Sequence, residues 1–173
     1  MKGHKKAIVV VIVLMLLSLF PTGLIGAQEQ GQPAAMRIGV TVEIDSLSPL
    51  ISYSQIGYEV FMLLYDSLVI MDDNLEPSPN LATEWSVSAD DTEWTFKLRD
   101  DVTWHDGEPF TAADVKFTYE LLLDNQLGMY SGYLGGIVEV STPDDYTVVI
   151  RTEKPKANML LNACPILPEH IWS

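Results

Sequence analysis

The chain has 173 residues, with 24 Asp and Glu against 10 Lys and Arg, and its formal net charge is −14. This excess of negative charge argues against nucleic acid as a partner, because phosphate binding requires a basic face. The carboxylates are scattered rather than clustered, which is typical of a solvated surface. The single cysteine, Cys164, excludes an internal disulfide and a thiolate metal site, and an isolated cysteine is more often a small buried hydrophobe than a nucleophile.

The N-terminal residues 1–27 have the pattern of a secretory signal. Lys2, Lys5 and Lys6 precede an apolar run at 7–20, and small residues end at Ala27. An uncleaved membrane anchor is the alternative, but the run is shorter than the ~20 residues that span a bilayer. Cleavage after Ala27 would leave seven basic residues against 24 acidic ones, and no cysteine lies nearby to carry a lipid.

The pattern after the signal predicts a disordered leader at 28–35 and one domain at 36–173. Alternation of apolar and polar residues predicts a strand at 36–44, and apolar residues at helical spacing predict a helix at 55–68. The elements predicted around and after this helix are a loop at 45–54, a hairpin of 69–71 with Leu75, a proline-bounded loop at 77–79, a helical turn at 80–84 and a strand at 85–87.

The segment from 92 to 119 predicts a strand, a tight turn and a capped helix. Trp94, Phe96 and Leu98 alternate with polar residues, so they form the apolar face of a half-buried strand, which pairs with 85–87 across a turn at 89–91. Asp106-Gly107 predicts a turn, since glycine accepts positive φ. Thr111 and Asp114 predict a helix N-terminus at Ala112.

The last third predicts a Gly- and Tyr-rich connection at 128–136, two strands and a short helix. The strands are 137–140 and 146–152, joined by a turn at 142–145, and the helix is 157–162. Residues 165–173 read PILPEHIWS, an apolar segment of the kind that leads into another element, so the chain is expected to stop in mid-architecture.

Several of these segments together resemble one family, the extracellular solute-binding proteins of family 5 that serve peptide-type ABC importers. The similar segments are MRIGVTVEIDSLSPL at 36–50, LEPSPNLATEW at 75–85, the aromatic strand at 92–98, the WHDG turn with the ADV helix start at 102–116, and PILPEHIW at 165–172. Each segment alone is weakly specific, whereas their order along the chain is highly specific.

The resemblance implies a mixed α/β fold of the class II periplasmic-binding-protein type, in which two lobes close on a ligand. Family members are several times longer than this chain, so it would supply the first strand of lobe one and the inserted subdomain, without the second lobe. The chain is expected to be either a fragment of a longer protein or a truncated relative, because a cleft between lobes needs both of them.

The function implied by the resemblance is an exported receptor, acting as a monomer, that captures an oligopeptide and delivers it to the ABC permease in the membrane. A receptor for an oligosaccharide or a nickel complex, and a truncated exported module without transport function, are the alternatives. No cofactor is expected. An enzyme is not expected either, since the sequence lacks a GxSxG, HExxH or phosphate-loop motif.

Seven residues are candidates for ligand contact, and each has a structural alternative. The loop after the first strand would face the cleft, although Ser54 would also serve as an ordinary helix N-cap. The tyrosines of the Gly-rich loop would line a pocket or pack on the core. The candidates are Tyr53, Ser54, Gln55, Tyr130, Tyr133, Asn162 and Cys164. His105 fits a turn better than a metal site, because no second histidine lies at ligand spacing.

Overall fold

The structure, a computed structural model, describes residues 36–127, 130–161 and 163–173. The chain divides into two units, Met1–Gly39 and Val40–Ser173. In the first unit, residues 36–39 have no regular secondary structure. The signal and leader predicted at 1–35, and the candidate Asn162, lie outside the described residues.

The second unit contains short helices, a small two-stranded sheet and a larger four-stranded sheet. Its elements in chain order are α1 (Gln55–Phe61), β1 (Val69–Met71), β2 (Pro77–Pro79), β3 (Ala82–Val87), β4 (Glu93–Leu98), α2 (Ala112–Asn125), α3 (Ser131–Leu134), β5 (Ile137–Asp144), β6 (Thr147–Thr152), a 3-10 helix (Met159–Leu161) and α4 (Glu169–Trp172).

The larger sheet is antiparallel throughout, with strand order β3-β4-β6-β5. Its central strand β4 buries Trp94, Phe96 and Leu98, and Phe96 lies opposite Val148 of β6. The helix α2 packs against β5 and β6. The core therefore lies between this helix and one face of the sheet, as the alternation in 92–98 predicted.

The helix α2 begins with a complete capping box. Ala113 N donates to Thr111 Oγ1 at 3.3 Å, and Thr111 N donates to Asp114 Oδ2 at 2.9 Å. Gly107 has φ of 95°, so the Asp106-Gly107 turn uses the conformational freedom that the sequence predicted for it. The predicted turn, cap and helix start are all confirmed.

The strand predicted at 36–44 is not formed. These residues have no strand assignment, and Ile38, Val40 and Val42 are each more than half exposed. Alternation describes a strand only if another strand accepts its hydrogen bonds, and no strand within the described residues pairs with this segment. The prediction was wrong for lack of a neighbour, although the apolar pattern itself is real.

Three predictions between 55 and 84 were also wrong in detail. The helix predicted at 55–68 ends at Phe61, where Leu64 N donates to Phe61 O and the last turn tightens. The strand 69–71 pairs with Pro77–Pro79 rather than with Leu75. The helical turn predicted at 80–84 is instead the start of β3, which pairs with β4 as predicted for 85–87.

Prolines at both ends of β2 explain why sequence reasoning made that segment a loop. Asp72 N donates to Glu76 O, and Ile70 lies opposite Ser78. Pro77 and Pro79 therefore fall at the alternate positions, where a missing N–H removes no ladder bond to β1. The helix predicted at 157–162 is a shorter 3-10 helix, Met159–Leu161.

Candidate ligand-binding cleft

A cleft of about 250 Å³ brings together three of the residues that the sequence singled out. Gln55, Tyr130 and Tyr133 line it, and the other lining residues are Tyr58, Leu161 and Ala163. The polar groups among these side chains are one amide and three phenols. All six lining residues are uncharged, so the cleft suits neutral hydrogen-bonding groups and apolar surface rather than a bare charge.

The first wall of the cleft is the N-terminal turn of α1. Ser54 caps this helix, since Gly57 N donates to Ser54 Oγ at 2.9 Å. Gln55 and Tyr58 are three residues apart, so they lie on one face of the helix. An added Cβ at Gly57 would overlap Ser52 Oγ, so any larger residue there would have to displace the Ser52 side chain. The capping role that was the structural alternative for Ser54 is therefore present.

Asp45 holds the loop that leads into this wall, and sequence reasoning did not single it out. Ser52 Oγ donates to Asp45 Oδ1 at 2.6 Å, and Tyr53 N donates to Asp45 Oδ2 at 2.8 Å. These bonds, with Ser52 as the strongest, hold the pKa of the Asp45 carboxyl well below its usual value. An aspartate seven residues before a serine gives no local signal in the sequence, because the turn between them sets the contact.

The second wall carries the two tyrosines of the Gly-rich connection. Tyr130 is 4% exposed and belongs to the core, whereas Tyr133 is 50% exposed. Tyr133 N donates to Tyr130 O at 2.9 Å, which fixes the turn that presents both rings. Burial raises the pKa of Tyr130, with smaller contributions from Cys164, Tyr58 and Tyr133. Tyr130 is thus a neutral phenol that both packs and lines the cleft.

The other candidates lie elsewhere. Tyr53 is 67% exposed and, like Ser54, does not line the cleft. Cys164 is 1% exposed and packs in the core, and burial raises the pKa of its thiol. A buried neutral thiol is a poor nucleophile and a poor ligand contact. Its prediction as a small buried hydrophobe is confirmed, and its prediction as a cleft-lining residue is not.

Asp114 and Thr118, both buried on α2, hold the segment 167–169 against this helix. Glu169 N donates to Asp114 Oδ1 at 2.9 Å, and Leu167 N donates to Thr118 Oγ1 at 2.9 Å. Asp114 therefore serves the helix cap and a second segment 55 residues away. These two bonds position the residues that follow Ala163, which itself lines the cleft. Local spacing predicted the cap, whereas the long-range contacts had no local signal.

In the turn at 104–107, Asp106 contacts a histidine from elsewhere in the chain, His170, whereas no such contact involves His105 within the described residues. His170 Nε2 and Asp106 Oδ2 are 2.8 Å apart. The hydrogen bond to Asp106 raises the pKa of His170, and the same bond lowers the pKa of Asp106. Within the described residues, no group of three or more His, Cys, Asp or Glu side chains is arranged to hold a metal ion.

A larger hollow, of about 750 Å³, is an open depression on the surface rather than a cleft. It lies beside Pro79, Arg99, Asp101 and Tyr146 and contains none of the predicted site residues. Arg99 Nε donates to Asp101 Oδ1 at 2.8 Å, so its guanidinium is already engaged. The tyrosine-lined cleft is the better candidate because it is less open than this depression and because three of the residues that the sequence singled out line it.

The capped helix after the WHDG turn and the four-stranded antiparallel sheet both lie in the stretch of the chain that matches a family of solute-binding proteins. Residues 76–172 match the family described as bacterial extracellular solute-binding proteins, family 5 Middle. The match covers more than half of the chain. The chain belongs to this family.

The similarity extends to sequences and solved structures from several bacteria. A Brucella ovis protein whose name assigns it to the ABC transporter peptide-binding proteins is 41% identical over 118 residues, which cover 66% of this chain and 22% of that protein. The structure of NikZ from Campylobacter jejuni in complex with Ni(L-His) is 31% identical, with a TM-score of 0.66, and covers 76% of this chain and 27% of its own.

A peptide complex is also among the similar structures. The oligopeptide-binding protein AppA from Bacillus subtilis in complex with a nonapeptide is 27% identical with a TM-score of 0.65, covering 71% of this chain and 25% of AppA. The chain spans about a quarter of the length of these relatives. The class II binding-protein fold expected from the sequence is confirmed for this quarter.

Proposed function

We propose that this chain is part of the substrate-binding component of an ABC importer, which captures an extracytoplasmic oligopeptide and delivers it to a membrane permease. The tyrosine-lined cleft carries the proposal: its amide and phenols can hydrogen-bond to peptide groups, and its aromatic rings can cover apolar side chains. The peptide-binding names and the nonapeptide complex among the relatives support oligopeptides as the ligand class.

The test is binding by the complete polypeptide that carries this sequence. We expect tri-alanine or a tryptic peptide mixture to raise its melting temperature, since a ligand that binds only the folded state stabilises it. Tyr133→Ala should weaken binding at least about tenfold, which corresponds to ~1.4 kcal/mol. Tyr53→Ala is the matched control, because Tyr53 is exposed and lies outside the cleft. Unchanged binding by Tyr133→Ala, with or without a loss from Tyr53→Ala, would place the ligand outside the cleft.

A nickel complex is the second candidate, and the similarity to NikZ bound to Ni(L-His) favours it. Because the described residues offer no cluster of metal ligands, the metal would arrive already held by an organic chelator. An oligosaccharide would suit the same aromatic cleft. Binding of nickel–histidine or of cello-oligosaccharide with no response to peptides would replace the peptide proposal with one of these.

Export to the periplasm or the cell surface, with cleavage of residues 1–27 after Ala27, completes the proposal. The described residues include no helix that is both long and apolar enough for a membrane span. Mass spectrometry of the protein from its host tests the cleavage, since the mature N-terminus should be Gln28. A secreted product that ends at Ser173 and binds no solute would favour the exported module without transport function. Sedimentation of the mature protein tests whether it is a monomer.

A further inference from the structure

Lys156 is a half-buried cation on the segment that joins β6 to the 3-10 helix. Its Nζ donates to Gly135 O at 2.7 Å. Gly135 directly follows α3, the helix that carries Tyr133. The last carbonyls of a helix lack partners within the helix, and a lysine side chain is a suitable donor for them. The carbonyl of Gly135, at the C-terminal end of α3, therefore accepts a hydrogen bond from a residue that is 21 positions away in sequence.

The same segment leads directly into a third wall of the cleft, the 3-10 helix that carries Leu161. Met159 N donates to Lys156 O at 3.2 Å, which begins the 3-10 helix Met159–Leu161. Leu161 lines the cleft, and Met159, at the start of the same 3-10 helix, is buried. A second bond runs parallel to that of Lys156, since Glu153 N donates to Gly136 O at 2.8 Å. Lys156 thus connects the wall that holds Tyr133 with the wall that holds Leu161.

We propose that Lys156 is a positioning residue that sets the separation of these two walls of the cleft, and with it the place of the Tyr133 ring. Its effect on ligand affinity rests on the proposed function of the cleft. The conformational part stands on the contacts alone. Half of the Tyr133 surface is exposed, so packing constrains its ring less than the core constrains that of Tyr130. We call the hydrogen bond from Lys156 Nζ to Gly135 O the strut. Loss of the strut should therefore change the position of the Tyr133 ring before it changes that of Tyr130.

Burial of the Lys156 ammonium lowers its pKa, in keeping with a cation that has given up part of its hydration to reach a carbonyl. Lys154 is the natural comparison. It is exposed, lies two residues earlier on the same segment and carries the same charge. Substituting Lys154 therefore removes one positive charge from the same segment without removing the bond to Gly135.

The experiment incorporates 3-fluorotyrosine into the full chain and follows the Tyr133 signal by fluorine NMR, with Tyr133→Phe assigning it among the seven tyrosines. Lys156→Met should shift or broaden the Tyr133 signal, Lys154→Met should leave it in place, and Lys156→Arg should restore it by supplying another donor. Circular dichroism on the same samples confirms that each variant is folded. An unchanged Tyr133 signal in folded Lys156→Met would overturn the inference.

A binding measurement separates the strut from the proposed function. With tri-alanine as the probe, we expect Lys156→Met to weaken binding by the complete polypeptide about threefold or more, and Lys156→Arg to recover most of it. A shifted Tyr133 signal with unchanged affinity would overturn the role of Lys156 in ligand binding. A shifted signal in a protein whose unsubstituted form binds no probe would support the strut and reject the proposed function.

Discussion

At the scale of single residues, Asp114 is a buried carboxylate that links the start of α2 to two other segments of the chain. It accepts hydrogen bonds from Thr111 N and Glu169 N, and a longer one from Trp104 Nε1 at 3.4 Å, while it is 4% exposed. We expect Asp114→Ala to lower the free energy of unfolding by about 2–4 kcal/mol, because it removes a helix cap and leaves three part-buried donors without their partner.

Urea unfolding measures this change. Asp124→Ala is the matched control, since Asp124 is exposed on the same helix and its loss should change the free energy of unfolding by less than about 0.5 kcal/mol. Similar losses from the two substitutions would show that the Asp114 contacts contribute no more than an ordinary helix surface residue does.

The ion pair of His170 and Asp106 is expected to make the stability of the C-terminal contact depend on pH. Since the folded state raises the pKa of His170 above its ordinary value of 6.5, this contribution is fully present below pH 6.5. It is lost as pH rises through the folded pKa. NMR titration of His170 should give a higher pKa than in Asp106→Asn, while Asp73→Asn, at an exposed distant turn, should leave it unchanged.

At the scale of elements, the turn before α2 depends on glycine at position 107. Its φ of 95° is unfavourable for any residue with a Cβ, and Gly107 N donates to Trp104 O at 3.0 Å. Gly107→Ala should lower the free energy of unfolding by about 1–2 kcal/mol. Gly132→Ala, inside α3 and with open space around it, should be neutral or slightly stabilising. Thermal unfolding compares the two variants.

Elements whose signals are local could be predicted from the sequence. The strand at 93–98, the Asp106-Gly107 turn and the start of α2 each rest on residues within four positions of one another, and each is present. Apolar and polar residues alternate just as clearly at 36–44, yet this segment forms no strand. A strand is defined by its neighbour, and the sequence of one segment does not say whether a neighbour exists.

The candidate cleft was predictable only in part, because the residue types in its lining can be recognised locally whereas the contacts between distant segments cannot. Gln55, Tyr130 and Tyr133 were singled out because hydroxyls, amides and aromatic rings in loops commonly contact ligands, and the fold brings these three together. Tyr58 was missed because it reads as an ordinary helix residue, and Leu161 because it reads as core. The Lys156 bond to Gly135 spans 21 residues, and no spacing rule connects the two positions.

At the scale of the whole molecule, a net charge of −14 is combined with an exposed apolar patch. Leu63, Leu64 and Ile171 are 78%, 48% and 62% exposed, and a hollow of about 340 Å³ beside Leu64 and Ile171 is lined mainly by apolar side chains. Apolar patches favour association, whereas a net charge far from zero opposes it through repulsion between molecules. At neutral pH we expect the repulsion from the charge of −14 to balance the association that the apolar patch favours.

That balance should fail on acidification. The sequence has an isoelectric point near 4.3, so protonation of carboxylates removes the repulsion as pH falls toward this value, while the apolar surface is unchanged. We expect light scattering to stay low above pH 6 and to rise steeply near pH 4.3. The double variant Leu64→Gln, Ile171→Gln should scatter less at pH 4.3 at the same net charge, whereas Asn74→Gln, at an exposed polar turn, should not. If the double variant scatters as strongly as the unsubstituted chain, loss of charge alone drives association and the apolar patch has no part in it.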